Sequence, residues 1–195
     1  LVLDRMRRAM FECVTNKLCA SLRESPKRRS AYLVKTFDFV CTTLSSLADI
    51  KDEQTTELAT LHFFEEKFLE ESAAFVTHTM HKRFSELEKL DGDVSFDATL
   101  DALSAFHRNW RQSLASTHAD CVACFGTSDW RAVELFRRCV TELTTRYTTI
   151  VDRGYAAQFG DEKASQLAEY VVTKLTFTLE GNRYTSKSND RLASQ

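Results

Sequence analysis

The sequence predicts an all-α fold, and three observations predict it. The 195 residues include one proline and five glycines, very few of the residues that interrupt helices. Apolar side chains recur at spacings of three and four, the rhythm that puts them on one stripe of a helix. No segment alternates apolar and polar residues between hairpin turn signals.

The elements follow in chain order. Leu3, Met6, Met10, Val14, Leu18 and Leu22 mark a first helix. Pro26 has no amide hydrogen and disfavours helix at Ser25, so the chain turns there. Leu33, Phe37, Cys41, Leu44 and Leu47 then carry a second helix that ends near Asp49. From about Asp52 a third run bears Leu58, Leu61, Phe64, Phe68, Phe75, Met80, Phe84 and Leu87, and meets no Gly or Pro until Asp91–Asp93. At about 30 residues or more it is longer than a compact domain usually needs. Ser95 is the expected N-cap of a fourth helix with the stripe Leu100, Leu103, Phe106, Trp110 and Leu114, a break near Ser116 being compatible, and Gly126 is its stop. Thr127 or Ser128 is expected to cap the next helix, where Trp130, Val133, Phe136, Val140, Leu143, Tyr147 and Ile150 face one way until Gly154 and Gly160. A last helix is expected from Asp161 to Gly181, with Leu167, Tyr170, Val171 and Leu175 apolar. Residues 182–195 are polar and aperiodic and read as a disordered tail. Short connections make long amphipathic helices antiparallel neighbours, so the expected architecture is an elongated up-down bundle over residues 1–181.

Composition narrows the function. A formal charge of −2 lacks the basic excess that phosphate recognition needs, which argues against nucleic acid. The one locally basic stretch, Arg23–Arg29, reads as a solvated turn. No run of 18 apolar residues offers a membrane span. The six cysteines, Cys13, Cys19, Cys41, Cys121, Cys124 and Cys139, fall inside helical patterns without framework spacing. They read as small core residues in a reducing compartment, cytoplasmic or nuclear. The chain opens on a helical pattern without a start methionine, as an excised piece would.

Three clusters resemble chemical sites. His118, Cys121 and Cys124 are spaced by three and offer nitrogen and sulfur, but zinc needs four ligands in a tetrahedron and one straight helix cannot wrap three around an ion. His78 and His81 lie one turn apart without the carboxylate of a metalloprotease motif. Asp91–Asp97 starts like a calcium loop, yet Ala102 stands where the twelfth-position glutamate belongs. None of these is taken as a site, and neither a nucleophile motif nor a phosphate-cradling loop is present. No catalytic residue, cofactor or metal is expected, and the partners expected are other proteins.

The segment Leu61–Val76 carries a more specific signal. Its series Phe64-Glu65, Phe68-Leu69, Ser72 and Phe75 resembles the signature of cullin repeats, in which a Phe-Glu, a Phe-Leu, a Thr or Ser and an aromatic recur on one long helix. The stretch Leu22–Leu47 before it resembles the family's loop and short helix, and in Val140–Leu175 the residues Gly154, Leu167 and Tyr170 are similar to a family pattern of Gly, Leu and an aromatic. The resemblance spans most of Lys17–Leu175. It implies a non-catalytic stalk that holds a substrate adaptor and a RING subunit of a ubiquitin ligase at a fixed separation. Helical spacing itself puts Phe64, Phe68 and Phe75 on one face that enters a core and turns Glu66, Lys67 and Glu70 to water, so Phe68→Ala is expected to cost about 3–5 kcal/mol. The resemblance adds Leu69, Leu167 and Tyr170 as core positions. The competing reading is a helical rod of a vesicle-tethering complex.

Overall fold

The structure, a computed structural model, describes residues 2–18, 25–48, 55–90 and 95–156. Among them every regular element is helical: α1 (Val2–Glu12) with a π-helical turn (Cys13–Leu18), α2 (Pro26–Ala48), α3 (Thr55–Arg83), α4 (Ser85–Glu88), α5 (Phe96–Phe125) and α6 (Trp130–Ala156). The expected helix Asp161–Gly181 and the tail 182–195 lie outside the described residues. The chain forms two compact units, Leu1–His78 and Thr79–Gln195.

In the first unit Pro26 opens α2. A proline at the first helical position loses nothing, because that amide has no partner inside the helix. The carbonyl of Ser25 accepts the first turn's bond from the Arg29 amide at 2.9 Å. The core is aromatic and small. Leu33 and Phe37 of α2 and Phe64 of α3 are buried, and Phe11, Val14, Cys41, Phe63 and Phe68 pack against them half-buried. Phe11 stacks on Phe37 with ring centroids 6.0 Å apart, and Phe63 meets Phe64 edge-on at 5.2 Å. Both are favourable arrangements of the ring quadrupoles. Met10, expected on the buried stripe, is exposed. Phe11, one position on, turns inward in its place because 100° of helical rotation separates the two.

α3 stops at Arg83, short of the expected Asp91. Phe84 leaves the helix at φ −135° and ψ 38°, and α4 is a single turn. No glycine or proline marks this break. Its cause is burial, since the kink sends both Phe84 and Leu87 into the second unit's core, with Phe84 6.2 Å from Phe106. Arg83, in a last turn that also holds His81 and Lys82, suits the negative end of the helix dipole. It binds Asp120 of α5 through Nε at 3.0 Å and Nη2 at 2.8 Å. Glu88 of α4 pairs with His81 on one side and approaches Arg146 of α6 at 3.6 Å on the other.

Ser95 caps α5 from extended backbone, its Oγ accepting from the Ala98 amide at 3.3 Å. The helix runs without a break past Ser116 to Gly126, whose φ of 106° is open to glycine and strained for other residues. The next cap is Asp129, in place of the expected Thr127 or Ser128. Its carboxylate accepts from the Arg131 amide at 2.9 Å and grips the same residue's guanidinium at 2.7–3.1 Å. A charged acceptor with a bidentate partner outcompetes the neighbouring hydroxyls. α6 continues past Gly154 to Ala156.

α5 and α6 are antiparallel. Phe136 meets His118 at 5.1 Å, while Tyr147 meets Phe106 at 5.2 Å, so stepping back along α5 moves the contact forward along α6. The expected stripes supply the core: Leu103, Phe106, Trp110 and Leu114 face Phe136, Val140, Leu143 and Tyr147, all buried. Trp130, expected to face inward with them, is 48% exposed, since it sits at the mouth of the turn where α5 has already ended.

Candidate functional site

The Phe-rich face of α3 is the region with the most specific sequence signal. Phe64 and Phe75 are buried, and Phe68 is half-buried against the first unit's core. Leu69, expected in the core, is instead 52% exposed. One residue on a helix is a rotation of 100°, so once Phe64 and Phe68 turn inward Leu69 swings out beside Glu65, Glu66 and Glu70. Lys67, expected to point to water, is only 23% exposed in its side chain. Its ammonium lies 5.6 Å from the Phe11 ring centre and 5.8 Å from that of Phe63, and also pairs with Glu70 at 2.7 Å. The long stem covers apolar surface while the charge meets two aromatic faces and a carboxylate. Leu167 and Tyr170 lie outside the described residues.

Ser72 lies on the same face, fully buried, and its hydroxyl has no hydrogen-bond partner. A buried unsatisfied hydroxyl carries its full desolvation cost. Ser72→Ala is therefore expected to raise stability, by about 1 kcal/mol, as a higher denaturant midpoint. A lowered midpoint would show that the hydroxyl is bonded.

Two of the three clusters with metal-like spacing lie wholly among the described residues. Cys121 is buried and Cys124 half-buried on α5, and the His118 ring abuts Phe136 edge-on. Among the described residues no three His, Cys, Asp or Glu side chains stand where they could hold a metal ion. His81 pairs with Glu88. In the segment Asp91–Asp97, Ser95 is the α5 cap, and residues 91–94 lie outside the described residues.

Of the cysteines expected in the core, Cys121 and Cys139 are buried, Cys41 and Cys124 are half-buried and Cys13 is exposed. Cys19 lies outside the described residues. Cys13 faces out because Phe11 and Val14 take the inward positions around it. Burial, and then the carboxylates of Glu65 and Asp38, push the Cys41 thiol up from 9.0 to about 11. The thiolate is the reactive form. At pH 8 a maleimide or disulfide reagent is thus expected to label Cys13 well before Cys41, read by mass spectrometry of the digested protein. Equal rates would contradict the shift. Because the folded value lies above the unfolded one, the folded state keeps the Cys41 proton that the unfolded chain loses, so stability is unaffected by this group below pH 9 and falls as pH rises from 9.0 toward about 11.

An open hollow of about 490 Å³ lies at the α5–α6 turn, lined by residues including Phe125, Trp130 and Arg131. Its charged groups, Asp129 and Arg131, are paired with each other. Sequence reasoning missed this pair, Arg83–Asp120 and the Glu88 junction. Only the first had a local signal, an Asp immediately before a helical stripe. Among the described residues no helix is long and apolar enough to cross a membrane. No protein-family model, curated protein or solved structure matches the chain.

Proposed function

We propose that the chain is a non-catalytic helical scaffold, an elongated stalk of parts of one or two cullin-like repeats that holds partner proteins at a fixed separation in the cytoplasm or nucleus. The observation that carries this reading is the length of the helices together with the run of the α5–α6 contact. α2, α3, α5 and α6 have 23, 29, 30 and 27 residues, about twice the usual length or more. Along α5 and α6 the buried side chains form one seam, with ring contacts at His118–Phe136 near the turn and at Phe106–Tyr147 further along. Helices that share a buried seam over such a distance resist bending, and a spacer works by resisting bending. The Phe64-Glu65, Phe68-Leu69, Ser72 and Phe75 series supplies the likeness to cullins, whose stalks join an adaptor to a RING subunit.

Two measurements test it. Small-angle scattering is expected to give a radius of gyration clearly above the roughly 16 Å of a compact 195-residue globule. A value near that figure would remove the stalk. Affinity purification of the tagged chain from its native cells is expected to recover an adaptor together with a RING protein. Recovery of membrane-tethering subunits in their place would keep the rod and replace its role.

A further inference from the structure

No further inference is drawn: the strongest candidate, the outward strip of α3 where the exposed Leu69 lies among Glu65, Glu66 and Glu70, is an unpartnered helix face, and nothing in the structure shows what covers it.

Discussion

Replacing Phe106 by alanine is expected to cost about 3–5 kcal/mol of stability. The ring is buried in the core that α4, α5 and α6 share, 6.2 Å from Phe84 and 5.2 Å from Tyr147. Its removal therefore deletes apolar burial, leaves a cavity between α5 and α6, and loses two aromatic pairs at once. Both tryptophans of the chain, Trp110 and Trp130, belong to this unit. Intrinsic fluorescence during urea unfolding thus follows the part that the substitution weakens. The midpoint is expected to fall while the native emission of the variant stays close to the parent's. A midpoint within about 0.5 kcal/mol of the parent, the range of surface substitutions, would mean that Phe106 does not fill the core.

In the first unit Phe64→Ala is expected to cost a similar amount, about 3–5 kcal/mol. Phe68→Ala should cost less, about 1–3 kcal/mol, because part of its ring already touches water. This ranking revises the larger cost expected for Phe68 from its place in the sequence pattern. Phe64 touches both Phe37 and Phe63, so its loss unsettles the small aromatic cluster as a whole. Far-UV circular dichroism gives the stability, and the rate at which Cys41 becomes reactive reports opening of the cluster it packs against. If Phe68→Ala proved the more damaging of the two, the assignment of the inward face of α3 would be wrong.

Features governed by neighbouring residues were legible in the sequence. The Ser95 cap and the Gly126 stop depend on a hydroxyl three residues from an amide and on a positive φ, both local chemistry. The stripes of α5 and α6 were legible for the same reason, since periodicity alone places Phe106, Trp110, Phe136 and Tyr147 on facing sides. The end of α3 was not. Ser85 through Lys89 have no helix-breaking residue, and where the helix breaks Phe84 is buried against Phe106 of distant α5, a contact that no local signal announces. Lys67 was misread because a charge suggests water, whereas its stem and the rings of Phe11 and Phe63, the former far away in sequence, make a partly covered position favourable. Leu69 was misread from its place in a family-like motif, although simple rotation from Phe68 points it outward. At the candidate site, the spacing of His118, Cys121 and Cys124 was visible, but a metal centre needs ligands from a second element, and no spacing within one helix can reveal whether they arrive.

The tight connection between α5 and α6 has a consequence for how the chain reaches its native state. Four residues separate the two helices, so the ends to be joined are never far apart and the entropy of bringing them together is small. Pairings between near neighbours in sequence form early, and those between distant ones wait. The buried faces of these two long helices can therefore find each other while the remainder of the polypeptide is still searching.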